Sequence, residues 1–255
     1  MRVVMLGSGN AATVLCELIA NAGHEIIQIA SRDEEHARQL AATYKANTAS
    51  LKADHFDEAD IYIIALHDAA LDHIENIPAL RGKFVVHTAG TISINALISC
   101  SDTHGVLYPL QSLSKYIGHI PEVPFLIDGS TPQVLQRISN FAKTFSSNVV
   151  AANDSERLNY HISAVFVNNF TNHLFAMAEL FCGNERIDFN NLMPLINETS
   201  ERLRKVSPFL TQTGPAIRND TFTLNRHLEA LSGNPEMRYL YLKLTESIMK
   251  LHGIK

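Results

Sequence analysis

The chain has 255 residues, enough for one large domain or two smaller ones, each with its own core. A hydrophobic fraction of 46% and a charged fraction of 18% are globular values. A formal net charge of -5 without a long basic run argues against nucleic acid as the main partner. No apolar run approaches the ~20 residues of a membrane span, and Arg2 is followed by too few apolar residues for a secretory leader, so no membrane partner is expected. Cys16, Cys100 and Cys182 are odd in number, far apart, and fit neither a zinc nor a disulfide pattern. Such cysteine usage suggests a reducing, cytoplasmic setting. The histidines include no H-E-x-x-H, and no metal is expected.

The first stretch sets the reading. Val3 to Leu6 is an apolar run, Gly7-Ser8-Gly9 is a turn, and a helical pattern starts at once with Asn10, Ala11 and Ala12. This strand, glycine turn and helix N-terminus form the arrangement that cradles a pyrophosphate. Gly7 turns the chain, Gly9 keeps side-chain atoms away from the phosphates, and Ala12 fills the small third position of G-x-G-x-x-A. First-turn N–H groups and the helix dipole then face the anion.

Glu25 to Ala30 reads as the second strand, and its end bears on cofactor choice. An acidic residue there accepts from the ribose 2′-hydroxyl of NAD, whereas this chain has Ser31-Arg32. A guanidinium and a hydroxyl suit a 2′-phosphate. At roughly 1.5–3 kcal/mol per charge-assisted bond, Arg32 alone shifts preference tenfold or more toward NADP. Asp33 is expected to cap the next helix, Glu34 to Tyr44.

A third strand is weakly marked near 46–49. A fourth, Ile61 to Leu66, is a continuous apolar run suited to a buried parallel strand, with His67-Asp68 at its C-terminal end. Phe84-Val85-Val86 is a fifth, ending in His87-Thr88-Ala89-Gly90. Val106-Leu107 is a sixth, ending in Tyr108-Pro109-Leu110-Gln111-Ser112. Three strand ends thus bring polar residues to the edge where open α/β sheets place ligands. Residues 124–127 read as another strand. Thr131-Pro132 open a helix, and 149–151 form a last short strand.

From Asn153 only helices are expected. Asn153 and Glu156 resemble a capping box. The helix that follows, to about Phe181, is apolar enough to be buried on more than one face. A uniform 100° wheel puts Arg157, His161, Asn168 and Asn172 on one polar stripe. Such a stripe is either an interdomain hydrogen-bond network or a ligand wall facing the sheet edge across a cleft. Further helices are expected over 188–206, 220–231 and 235–251. The loop Gln212-Thr213-Gly214-Pro215-Ala216-Ile217-Arg218 is either a structural elbow or a route for Arg218 into the cleft. The fold class is therefore α/β: a Rossmann-like, doubly wound, mainly parallel sheet over 1–152, followed by an all-helical domain over 153–255.

These motifs together resemble one family. They are the glycine turn, His-Thr-Ala-Gly (87–90), Tyr-Pro-Leu-Gln-Ser (108–112), Arg-x-x-x-His (157–161) with Asn168-Asn169-Phe170, and Gln-Thr-Gly-Pro-Ala (212–216) with Arg218 and Asp220. The chain is similar, over essentially its whole length, to a bacterial family of Rossmann-like oxidoreductases with a C-terminal helical domain of unknown function. More distantly it resembles pyrroline-5-carboxylate reductase, the 6-phosphogluconate and β-hydroxyacid dehydrogenases, and the deazaflavin-dependent NADP reductases. The resemblance implies NADP and a homodimer built through the C-terminal helices. It does not carry over the lysine mechanism of the β-hydroxyacid dehydrogenases, because Arg157 and His161 occupy that stretch.

The expected function is NADP(H)-dependent hydride transfer to or from a small polar carbonyl or imine in an interdomain cleft. Gly7, Ser8, Gly9, Asn10, Ala11, Ser31, Arg32, Leu66, His67, Thr88, Ala89 and Gly90 are the candidate cofactor residues. His161, then His87, are the candidate proton donors, histidine being the type suited to this near neutral pH. Tyr108, Gln111, Asn168 and Asn172 would orient substrate, and Arg157 or Arg218 would pair with a carboxylate or phosphate. A non-catalytic NADP-binding sensor is the alternative. A methyltransferase ranks last, because its cofactor's ribose calls for an acidic residue where Ser31-Arg32 stand.

Overall fold

A computed structural model describes residues 1–71, 74, 77–114 and 120–254. Eight strands form one sheet: β1 (Arg2–Leu6), β2 (Glu25–Ser31), β3 (Asn47–Ser50), β4 (Ile61–Ile64), β5 (Val85–His87), β6 (His104–Pro109), β7 (Phe125–Gly129) and β8 (Val149–Ala151). Their order is β3-β2-β1-β4-β5-β6-β7-β8. All neighbours are parallel except β6 and β7. The helices are α1 (Asn10–Asn21), α2 (Glu34–Tyr44), α3 (Asp68–Leu71), α4 (Pro132–Ala142), α5 (Asp154–Ala164), α6 (Thr171–Asn184), α7 (Met193–Arg202), α8 (Thr221–Ala230) and α9 (Pro235–Leu251). The Rossmann-like sheet followed by helices is the architecture the sequence leads one to expect.

The central strands β1, β2, β4 and β5 are buried on both faces, which explains their unbroken apolar runs. Val3 and Met5 of β1 and Ile61 and Ile63 of β4 pack with Leu15 and Ile19 of α1 and with Ile138 and Phe141 of α4. Val4, Leu6, Tyr62 and Ile64 face the opposite way, onto Leu71, Leu80 and Leu97. Caps stand where the sequence puts them. Asp33 accepts from His36 N at 3.0 Å to start α2, and Thr131 caps α4 ahead of Pro132. Asn153 and Glu156 make a reciprocal capping box on α5.

The contacts divide the chain into two compact units, Met1–Phe170 and Thr171–Lys255. The sequence suggests a boundary at 152/153; the contacts keep α5 and the π-helical turn Val165–Phe170 with the sheet unit. The helix expected from Asn153 to about Phe181 is thus three successive segments: α5, the π turn and α6. Its apolar side chains are not uniformly covered, since Leu158, Ile162, Phe166 and Phe170 are exposed. No helix of the described residues is long and apolar enough to cross a membrane.

Candidate active site

The first unit carries two cavities at the C-terminal ends of its parallel strands. One, of about 720 Å³, lies over the glycine turn. It is lined by Gly7, Ser8, Gly9, Ser31, Arg32, Asp33, His36, Ala65, Leu66 and His67. Gly7 has φ +128°, and a Cβ there would stand 2.3 Å from Ala65 O, so no other residue fits without rebuilding the turn. A Cβ on Gly9 would meet nothing within 4 Å. That open space lies at the start of α1, whose N-cap is Gly9 and has no side-chain cap. The first-turn N–H groups are therefore left for an anion.

Ser31 Oγ and Ser8 Oγ are 2.9 Å apart, and Ser31 Oγ also accepts from Asp33 N at 3.1 Å. Arg32 Nη2 donates to His67 Nε2 at 2.7 Å, which requires that nitrogen of His67 to be unprotonated. Arg32 and His67 follow the strands on either side of β1, so this bond bridges the mouth of the glycine turn. Seven of the expected cofactor residues meet here: Gly7, Ser8, Gly9, Ser31, Arg32, Leu66 and His67. Asn10 and Ala11 occupy the first turn of α1. Thr88, Ala89 and Gly90 are buried in the loop after β5 and do not line this cavity. The sequence reading omitted His36. It lies one turn into α2, with Nδ1 3.1 Å from Asp33, a helical spacing that could have revealed it.

The second cavity, of about 430 Å³, lies between the end of β6 and the α5–π segment. It is lined by Tyr108, Leu110, Gln111, Ser112, Tyr160, His161, Ser163, Ala164, Val165, Val167, Asn168 and Asn169. Tyr108, Gln111, His161 and Asn168 were expected together; Ser112, Tyr160, Ser163 and Asn169 were not. Its polar centre is Tyr108, whose hydroxyl lies 2.9 Å from His161 Nδ1. Burial, with a smaller contribution from Asp68, pushes the Tyr108 phenol above its ordinary value, so it stays protonated and able to donate. With Nδ1 as acceptor the ring proton sits on Nε2, facing a reacting atom; with Nδ1–H donating to the hydroxyl oxygen, Nε2 is the free acceptor. Gly90 lies against this pair, for a Cβ there would be 2.8 Å from His161 Nδ1 and 3.0 Å from Tyr108 Cζ.

Other expected site residues are placed differently. Arg157 is 1% exposed and does not line the cavity. Its Nη2 donates to Asp154 Oδ1 at 2.7 Å and to the Ile92 carbonyl, while Ile94 N donates to the same Asp154 oxygen at 3.1 Å. Arg157 is a strut joining α5 to the loop after β5, not a substrate ligand within this unit. His87 is 0% exposed, and its Nδ1 accepts from Ala89 N at 3.2 Å. Burial, then the Arg157 charge, push its pKa down to about 4, so it is neutral at physiological pH. A sealed, neutral ring away from the cavity does not serve as proton donor. Gln111 lines the cavity, but its Nε2 donates to Glu122 O at 3.1 Å and its Oε1 accepts from Ser112 N at 2.9 Å, so both ends brace its own loop. Asn172 and Arg218 belong to the second unit, where both are exposed.

Residues 2–90 match the family described as NADP oxidoreductase, coenzyme F420-dependent, and residues 123–248 match a domain of unknown function, DUF2520. A structure described as a putative NADP oxidoreductase from Bacteroides fragilis is 35% identical, with 98% of each chain covered and a TM-score of 0.90. The chain belongs to this oxidoreductase family. A protein from Thermotoga maritima shares the fold at 20% identity and TM-score 0.71, covering 98% of each chain. The 1-pyrroline-5-carboxylate reductase from Streptococcus pyogenes shares it at 13% identity and TM-score 0.63, over 99% of this chain and 98% of its own. No curated protein matches the chain. Family membership carries pyridine-nucleotide-dependent oxidoreduction and the Rossmann-like architecture. The choice between NADP and NAD rests on the residues themselves.

Proposed function

We propose that the protein is an NADP(H)-dependent oxidoreductase acting on a small polar carbonyl or imine, with His161 as proton donor. The observation that carries this reading is the Tyr108–His161 pair, which lines a cavity at the same sheet edge as the glycine turn. The nicotinamide cofactor, when bound, supplies or accepts the hydride. The remaining chemistry belongs to the chain. Gly9 and the first turn of α1 receive the pyrophosphate, and Ser31 and Arg32 receive the 2′-phosphate. His161 Nε2–H gives its proton to the oxygen or nitrogen that gains negative charge as its carbon is reduced, while the Tyr108 hydroxyl passes its own proton to Nδ1, so the imidazole stays neutral and the phenol is re-protonated from solvent. Tyr108 holds the imidazole in the tautomer that can do so. In the opposite direction His161 Nε2 takes that proton back.

The deciding experiment is calorimetric titration of wild type and Arg32→Ala with NADPH and NADH. Tight NADPH binding that falls to the NADH value in Arg32→Ala supports the reading, and failure of both nucleotides to bind removes it. Nucleotide binding without turnover on a panel of carbonyls and imines, in wild type, would favour the sensor alternative.

We also infer a homodimer. Phe166, Phe170, Leu195, Leu210 and Phe222 are exposed large apolar side chains in a single chain, more than a solitary soluble surface usually shows. A monomeric mass in sedimentation at micromolar concentration would remove this part.

A further inference from the structure

The π turn Val165–Phe170 forms one wall of the His161 cavity. An α-helix closes each turn with i→i+4 bonds and a π turn with i→i+5, so one extra residue is spent and the side chains beyond it lag by about one position. A uniform 100° wheel therefore misplaces this stretch. It puts Asn168 on the His161 face and leaves Asn169 off it. With the extra residue, Asn169 comes round to that face and Asn168 stays at its edge, and both line the cavity.

π turns are rare and are found frequently at functional sites. Here it sets two adjacent carboxamides at a cavity wall. Both residues are exposed, and neither side chain makes a hydrogen bond among the described residues, in contrast to Gln111. Each carboxamide offers two N–H donors and an acceptor oxygen. None of the described lining residues is Asp, Glu, Lys or Arg. Gln111, Ser112 and Ser163 extend the same uncharged polar character along the wall.

We propose that Asn169, brought round by the π turn, is a substrate-orienting residue. With Asn168 it selects substrates bearing an uncharged group that both donates and accepts hydrogen bonds, such as an amide or lactam. This deepens the oxidoreductase reading and names the substrate class of the same site. A wall built to exchange hydrogen bonds discriminates against a ligand that cannot return them, because its own polar groups are then left unpaired.

The probe is 2-pyrrolidinone, a neutral lactam, with acetate as the charged comparison. Each is titrated into the full chain with and without NADP+. Binding is read from the side-chain amide resonances of 15N-asparagine-labelled protein, assigned through Asn168→Gln and Asn169→Gln. The lactam is expected to shift the Asn168 and Asn169 signals. Its affinity should fall about five- to tenfold in Asn169→Ala and be unchanged in Asn159→Ala, an exposed α5 position outside the cavity. Equal affinity in wild type and Asn169→Ala, unmoved Asn169 signals, or acetate binding where the lactam does not would each overturn the proposal. NADPH calorimetry on the same samples separates the two readings. A lactam response without nucleotide binding would keep this inference and sink the cofactor assignment; nucleotide binding without a lactam response would do the reverse.

Discussion

Replacing Arg157 tests whether it is a strut or a ligand. In the folded chain it makes a charge-assisted bond to Asp154 at 2.7 Å and a second bond to the Ile92 carbonyl, while its Nε and Nη1 are buried without a partner. Losing the two bonds costs about 3 kcal/mol, at the low end for charged groups because the Asp154 side chain is 40% exposed. Emptying the space of the aliphatic stem adds about 1–2 kcal/mol. Removing the unpartnered donors returns about 1–2 kcal/mol. Arg157→Ala is therefore destabilised by about 3 kcal/mol, and Arg157→Met, which keeps the stem, by about half of that. At roughly 2–4 °C per kcal/mol for a chain of this size, the melting temperature falls about 6–12 °C in Arg157→Ala.

The pH dependence gives an independent reading of the same strut. Burial pushes the Asp154 carboxyl up, but hydrogen bonds from Ser93, Arg157 and Ile94 outweigh it and hold the group below its ordinary value. Its contribution is present above the unfolded pKa and is lost as pH falls through the lower folded pKa. Without Arg157 that loss begins at higher pH. Scanning calorimetry across pH 3–7 checks both effects. A variant that melts like wild type yet loses affinity for carboxylate ligands would refute the strut and make Arg157 the substrate partner.

Two further outcomes follow from buried groups near the site. His87 has a folded pKa of about 4 against 6.5 for a free ring, so the unfolded chain binds more protons between those values. Stability should therefore fall by about 3 kcal/mol as pH drops through that window, and the slope should flatten in His87→Asn, read by denaturant titration at several pH values. Gly90→Ala would press a methyl group on His161 and Tyr108, and a shift of about 1 Å in a reacting group can cost about 100-fold in rate. NADPH affinity should stay unchanged in calorimetry while turnover collapses; wild-type turnover would remove Gly90 from the support of the pair.

Much of the site was legible because its chemistry is local in sequence. Gly7, Gly9, Ser31 and Arg32 fall at strand ends, and strand ends are marked by where apolar runs stop. The parallel sheet was legible for the same reason: residues 61–64 have no polar alternation because both faces are covered. The third strand, Asn47–Ser50, was faint because it is the largely exposed edge of the sheet and needs no apolar run. The burial of Arg157 was not legible because helical spacing tells which way a side chain faces but not whether the loop after β5 closes over it. Asn169 was missed because the wheel assumed a constant turn, and the residues 165–170 carry no composition that announces i→i+5 bonding. The apolar stretch through α5 and the π turn suggested burial, whereas a single chain leaves Leu158, Ile162 and Phe166 exposed. Apolar patterning shows that a surface avoids water, not which chain covers it.

The Tyr108–His161 pair carries the last prediction, and it needs no substrate. A neutral imidazole has one proton, and which nitrogen holds it decides whether His161 can donate to a ligand. Were the Tyr108 phenol ionised, Nδ1–H would donate to it and Nε2 would face the cavity as a bare acceptor. Burial and Asp68, which itself accepts from Thr91 Oγ1, both act against ionisation of the phenol. A protonated phenol can donate to Nδ1, and in that arrangement the ring proton is fixed on Nε2, the form the proposed donor role requires. Long-range 15N–1H correlation spectra of the histidine rings distinguish the tautomers directly. Wild type should show the Nε2–H form at His161, and Tyr108→Phe a mixture of the two. An Nδ1–H ring in wild type would reverse the assignment: His161 would then be a base awaiting a proton, and the reduction direction would need another donor.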